Sequence, residues 1–221
     1  SQDLNGPPGK SISFALMLVV VGFLAMQPDF GQSALVVFAW GVIYFIGGAP
    51  MTLIVVVGAI VAGAGLVFYD SSEHFARRID GFLSPDVDPR TQLGYAANAI
   101  QEGGFFGVGV GEGQVKWSLP DAHTDFIIAV AAEEYGLILV LAILGLYGVI
   151  VVRSLGRLVQ ERDPFARLAG AGMACIFGVQ AMINMGVAVR LLPAKGMTLP
   201  FVSYGGGSVI SAGITMGMLL A

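Results

Sequence analysis

Six runs of apolar residues, at about 12–27, 33–49, 51–69, 126–152, 166–188 and 205–221, leave this chain of 221 residues few ways to fold. A helix rises 1.5 Å per residue and needs about 20 apolar residues, with a range of about 17–25, to cross the hydrocarbon core of a bilayer. Inside that core no water satisfies the backbone, so spanning segments must bond to themselves. The third, fourth and fifth runs meet the length comfortably. The first is short and ends at the polar turn Gln27-Pro28-Asp29, which leaves a tilted or re-entrant segment open beside a full span. Composition points the same way: only 12% of residues are charged and 56% are hydrophobic, whereas soluble domains carry about 25% charged residues. The expected fold is an all-α integral membrane protein with about six transmembrane helices and a single membrane domain over residues 1–221.

The distribution of Lys and Arg orients the spans. The short connection from Val152 to Arg167 carries Arg153, Arg157, Arg162 and Arg167, and the positive-inside rule places it in the cytoplasm. Parity then puts three connections on the outer side: the turn at 27–32, the long loop 70–125 and the loop 188–204. The long loop holds nine acidic residues against four basic ones, Arg77, Arg78, Arg90 and Lys116. Lys10 and the last residues fall inside. A chain whose polar residues gather outside acts on something found there.

Two segments on that side carry chemistry. LPDAHTDF, Leu119 to Phe126, leads into the fourth apolar run. Pro120 stops an upstream helix, Thr124 suits an N-cap, and Asp125 would then lie in the first helical turn near the positive end of the helix dipole. A carboxylate held there beside His123 either complements the dipole or removes a proton from a hydroxyl nucleophile. Glu133 and Glu134, eight and nine residues further, would sit about 12–14 Å into the span; carboxylates at that depth mark a structural bond within the bundle or a polar interior. The second segment is LLPAKGMTLPFVSYGGGS, Leu191 to Ser208, with two prolines and four glycines. Such irregular backbone survives at membrane depth only where protein or water satisfies it. Arg190 and Lys195 here, with Arg77 and Arg78, read singly as cations snorkelling to headgroups and together as partners for a diphosphate.

Other features exclude functions. GVGVGEGQ, Gly107 to Gln114, lacks the spacing and the Lys-Ser/Thr of a phosphate-binding loop and reads as a flexible turn. His74 and His123 stand about fifty residues apart without a cysteine partner, so a zinc site is not expected. The one cysteine, Cys175, lies in an apolar run and reads as a small hydrophobe. Nothing suggests nucleic-acid binding.

LPDAHTDF and LLPAKGMTLPFVSYGGGS resemble the SEDS family, which comprises FtsW, RodA and SpoVE, and the resemblance runs from QPDFGQ at Gln27 to the end. Arg77-Arg78, Gln92, Gly107-x-Gly109-x-Gly111, AEEYG at Ala132–Gly136 and Asn184 support it. Ala122 before His123, and Lys195 after Pro193-Ala194, look like the family's cell-division branch, FtsW, rather than RodA. Asp121 departs from a commoner Glu, and Tyr95-Ala96 from a commoner Gln-Ser. The family has ten spans, so six would be the C-terminal part of its bundle.

The resemblance implies a bacterial peptidoglycan glycosyltransferase that polymerises lipid II at the outer face of the cytoplasmic membrane, at the division septum. It implies Asp125 as the essential carboxylate and general base on the acceptor 4-hydroxyl. Lys195, Arg77 and Arg78 would offset charge on the leaving diphosphate, and His123, Glu133, Glu134 and Ser203 would contact substrate. A divalent cation, Mg or Mn, would share the electrostatic role, although the sequence shows no dedicated metal motif. The implied partners are a class B penicillin-binding protein transpeptidase and other divisome membrane proteins. Two other readings stand beside this one: a lipid II transporter, suggested by the carboxylates in a span and the broken segment near Pro200, and a non-catalytic divisome scaffold.

Overall fold

The computed structural model describes residues 8–27, 29–48, 50–84, 91–192 and 196–220. Six apolar helices appear where six runs were expected: α1 (Gly9–Met26), α2 (Phe30–Ile46), α3 (Met51–Ser71), α7 (Ile127–Leu158), α8 (Pro164–Ala188) and α9 (Gly206–Leu220). Among the described residues α1, α3, α7 and α8 are long and apolar enough to cross a membrane, and α2 and α9 are shorter apolar helices. The 18 residues of α1 reach the spanning length, which favours a span over a re-entrant turn. Local chemistry sets several starts. The Asp29 carboxylate accepts from the Gln32 amide at α2, and Asp163 accepts from the Phe165 amide at α8, with Pro164 in the first turn.

Not one residue of α3 is buried, and Val55, Ile60 and Leu66 are each more than 60% exposed. An apolar helix with no buried residue is unstable in water and ordinary in lipid. The chain is a multi-pass membrane protein. α7 packs on α8, where Gly170, Ala171, Gly172, Ala174 and Ala181 are buried and let neighbouring helices approach closely. Between them lies a core of Ile128, Val140, Tyr147, Phe177, Met185 and Leu199.

The segment read as a loop over 70–125 contains three helices, α4 (Glu73–Leu83), α5 (Gln92–Gly103) and α6 (Val115–Ser118). Hydroxyl caps start two of them: Ser72 accepts from the Phe75 amide and Thr91 from the Gly94 amide. α5 packs along α7 as extensively as α8 does. Ala96, Ala99, Val115, Leu119, Ala122, Phe126, Ala129 and Val187 form a second buried cluster beneath it.

That pairing depends on a break in α7. At 32 residues α7 is far longer than a bilayer requires, and Gly136 interrupts it with φ 78° and ψ 179°. The break frees backbone groups, and residues 104–109 take them up. Val108 and Gly109 donate to the carbonyls of Glu133 and Glu134 at 2.9 and 3.2 Å. In return Leu137 and Ile138 donate to the carbonyls of Gly104 and Phe105 at 2.9 and 3.4 Å. The close approach requires glycine: a Cβ on Gly103 would lie 1.9 Å from the Ala132 carbonyl oxygen, and one on Gly107 2.2 Å from that of Glu134. The glycine-rich stretch expected to be a flexible turn is thus an interlock. The 22 residues after the break span about 33 Å on their own, so Glu133 and Glu134 lie on the loop side of the break rather than midway along one continuous helix.

Candidate functional site

LPDAHTDF is held at the end of the bundle by its apolar members. Leu119, Ala122 and Phe126 are buried in the cluster under α5, while Asp121 and His123 are exposed and Asp125 is half-buried. The turn closes on Asp121, a non-glycine residue with φ 57°. Its carbonyl accepts from the amides of Thr124 and Asp125 and from the Thr124 hydroxyl, at 3.1, 3.0 and 3.1 Å. Thr124 is therefore not the N-cap expected. Its hydroxyl is turned back into the turn, and α7 begins at Ile127 behind an uncapped Phe126.

Three successive carbonyls of this turn are each bonded from elsewhere. His123 O accepts from the Tyr204 amide at 2.9 Å, Thr124 O from the Ser203 hydroxyl at 2.5 Å, and Asp125 O from Asn184 Nδ2 at 3.0 Å. The donors belong to α8 and to the irregular segment 196–204. That segment is fastened in turn: the Leu199 amide donates to Ser203 Oγ at 2.7 Å, Asn184 Nδ2 donates to Met197 O at 2.6 Å, and Gln180 Nε2 donates to Thr198 O at 3.0 Å. The Tyr147 hydroxyl donates to Pro200 O. Non-helical backbone is thus satisfied by protein, as it must be at this depth. The His123 ring meets the Tyr204 ring edge-on at 5.6 Å between centroids.

The Asp125 carboxylate has no hydrogen-bond partner among the described residues. Burial first, and the nearby Asp121 carboxylate second, push its carboxyl above the ordinary range. Gly196 passes so close that a Cβ there would stand 3.2 Å from Asp125 Oδ2.

The other expected site residues divide. Ser203 and His123 join Asp125. Glu133, 1% exposed, instead caps the turn before α6: its Oε1 accepts from the amides of Gln114 and Val115 at 2.6 and 3.0 Å, and its Oε2 is buried without a partner among the described residues. Glu134 pairs with Lys116 at 2.5 Å. Arg77 is exposed on α4 and pairs with Glu73 at 3.4 Å. Arg190 donates to the Ser84 carbonyl at 2.7 Å, tying the end of α4 to the end of α8. Lys195, with Pro193 and Ala194, lies outside the described residues, and so do the side chains of Arg78 and His74. Among the described residues no group of three or more His, Cys, Asp or Glu could hold a metal. Among the described residues the donors of the Asp125 turn are Asp121 and His123, both exposed, which do not make a protein cage for Mg or Mn.

Gln180 and Tyr147 are the parts of this arrangement that motif reading missed, while Asn184 and Tyr204 fell within the family matches without being given a role. Asn184 and Gln180 carried a signal, as amides four residues apart on one face of an apolar helix.

The family model described as "Cell cycle protein", which covers FtsW, RodA and SpoVE, matches residues 7–221. A probable peptidoglycan glycosyltransferase FtsW of Caulobacter vibrioides is 45% identical over all of this chain and 56% of its own length. One of Alkalilimnicola ehrlichii is 40% identical over 96% of this chain and 56% of its own length. The chain spans little more than half the length of these relatives. Among solved structures, a chain from a peptidoglycan synthase complex that coordinates polymerization and crosslinking superposes with a TM-score of 0.77 at 30% identity. It covers 97% of this chain and 63% of that one. The rod shape determining protein RodA of Thermus thermophilus gives 0.61 at 28%, over 95% and 55%. A match along almost the whole chain, on a fold of bundled membrane helices shared with solved relatives, makes this protein a member of the FtsW/RodA/SpoVE family.

Proposed function

We propose that this chain is the site-bearing part of a glycosyltransferase that polymerises lipid II, with Asp125 as general base. The observation that carries the reading is the state of Asp125: a half-buried carboxylate without a bonded partner among the described residues, on a turn whose three carbonyls are all tied. A raised pKa brings a carboxylate nearer the operating pH, where proton transfer is most effective. It would take the proton from the 4-hydroxyl of the acceptor sugar as that oxygen bonds to the donor's anomeric carbon. The anomeric bond to undecaprenyl diphosphate breaks, and the electron pair leaves on the diphosphate. Lys195, Arg77 and Arg78 are the cations proposed to meet that charge, and His123, Ser203, Glu133 and Glu134 the residues proposed to contact or shape the substrate site.

The names borne by the relatives support the chemistry, and their FtsW label supports a role in division. The positive-inside argument supports an extracytoplasmic site in the bacterial inner membrane. The likeness to a chain from a polymerizing and crosslinking complex supports a class B penicillin-binding protein as partner. Transport of the same lipid is less favoured: the broken backbone of α7 is paired with residues 104–109 instead of lining an open path.

The test is Asp125→Asn in the full-length protein, reconstituted with its transpeptidase partner and supplied with lipid II. Loss of glycan polymer with retained folding is expected. Polymer at the parental rate would end the proposal.

A further inference from the structure

We propose that Asn184 is a positioning residue for Asp125, an inference that rests on the general-base reading above. Asn184 lies near the end of α8, 1% exposed, and its amide nitrogen reaches two elements at once: Asp125 O at 3.0 Å and Met197 O at 2.6 Å. Both neighbours are carbonyls, so only the NH2 end of the amide can face them. Its Oδ1 is buried without a partner among the described residues. That arrangement uses both donors and neglects the acceptor, so the side chain serves the two carbonyls it joins rather than its own satisfaction.

The Asp125 carbonyl has no helical partner, because the Ala129 amide bonds to Phe126 O. Asn184 therefore supplies the bond that fixes the Asp125 backbone, while the same amide fixes the residue next to Gly196, whose Cα faces the Asp125 carboxylate. One side chain thus sets both the carboxylate and the wall it faces. No other residue type of that size does the same. Asp would set a carboxylate against two carbonyl oxygens, and Leu would leave both unpaired.

The experiment uses the full-length protein with its partner, lipid II as substrate, and Asn184→Ala and Asn184→Asp. A misplacement near 1 Å costs about 10²-fold in rate, so kcat is expected to fall at least about ten-fold in both variants, with KM changed by less than about three-fold and the acidic limb of the pH profile displaced. Adding Asn184→Ala to Asp125→Asn should lower the residual rate no further, because residues acting as one unit are not additive. A purely structural residue would instead reduce the folded fraction, leave kcat per folded molecule and the pH limb unchanged, and multiply with Asp125→Asn. Either variant keeping kcat within about two-fold of the parent overturns the inference. If neither folds, Asn184→Ser, which keeps one donor, is read by the same outcomes. If Asp125→Asn itself polymerises normally, the general-base reading fails; if it is inactive while the Asn184 variants are parental, only the positioning role fails.

Discussion

Replacing Gly136 by alanine tests whether the break in α7 is a built feature or an accident of a long helix. The glycine sits at φ 78° and ψ 179°, a region that other residues enter at a cost of about 1–3 kcal/mol. Its new Cβ would lie 2.3 Å from the Phe105 carbonyl oxygen and 2.5 Å from the Gly107 nitrogen, where real Cβ atoms essentially never come within 3.0 Å. Residues 104–109 would have to retreat by most of that deficit, and the Ile138-to-Phe105 bond, already 3.4 Å, would be lost first. An unmade buried bond costs about 1–3 kcal/mol, and alanine returns about 0.4–1 kcal/mol through the unfolded chain. The net loss is roughly 1–6 kcal/mol, a fall in Tm of at most about 2–4 °C per kcal/mol. Thermal unfolding of the full-length protein in detergent measures it. Gly148→Ala is the control, since a Cβ there meets nothing within 4 Å and a helix interior gains up to about 1 kcal/mol from the exchange. Equal Tm values for the two variants would refute the interlock.

Three further outcomes follow from the same contacts. Because burial raises the Asp125 carboxyl, the folded state holds more protons than the unfolded one between the two pKa values, and stability falls as pH rises through that window. Asp125→Asn should therefore unfold at higher temperature than the parent at neutral pH, the advantage vanishing below the unfolded pKa of about 3.9; a parent more stable than the variant at neutral pH would contradict the sign. Glu133→Ala leaves the buried Val115 amide without its acceptor, at about 1–3 kcal/mol, whereas Glu133→Gln keeps an acceptor and should cost less; hydrogen exchange over 113–118 reads both, and equal protection would argue against the cap. Arg77→Ala removes an exposed ion pair and should change stability by less than about 1 kcal/mol, so any fall in polymerisation would report contact with substrate rather than lost structure.

The spans were legible because their signal is local: length, apolarity, the polar stop at 27–29 and the Gly-Gly-Ala-Pro break at 47–50 lie in the chain itself. The helices of the 70–125 segment were less so. Ser72 and Thr91 announce two starts, but α5 has five glycines and alanines among its 12 residues, without an apolar face strong enough to stand out, and what makes it a helix is its fit against α7. The break at Gly136 was hidden for a related reason. One glycine in an apolar run reads as a packing position, and only the partner stretch 104–109 makes it a discontinuity. Asp125, His123 and Ser203 sit inside two recognisable strings, so motif reading reached them. It gave Asp125 the first turn of a helix, because Thr124 has the chemistry of a cap; the left-handed Asp121 spends that hydroxyl on its own carbonyl instead. The grip of Asn184 on both strings needs the third dimension.

The bonds that tie the turn at 123–125 join residues distant in the chain: Thr124 to Ser203 across 79 positions and Asp125 to Asn184 across 59. During synthesis the carboxylate therefore emerges long before the groups that immobilise it. A nascent polypeptide arrested ahead of Ser203 would carry the Asp125 carboxylate on a loop without that fastening. If Asp125 is the base proposed above, competence would arrive only once α8 and the segment 196–204 are laid against the turn, and the order of translation itself would keep half-made copies silent.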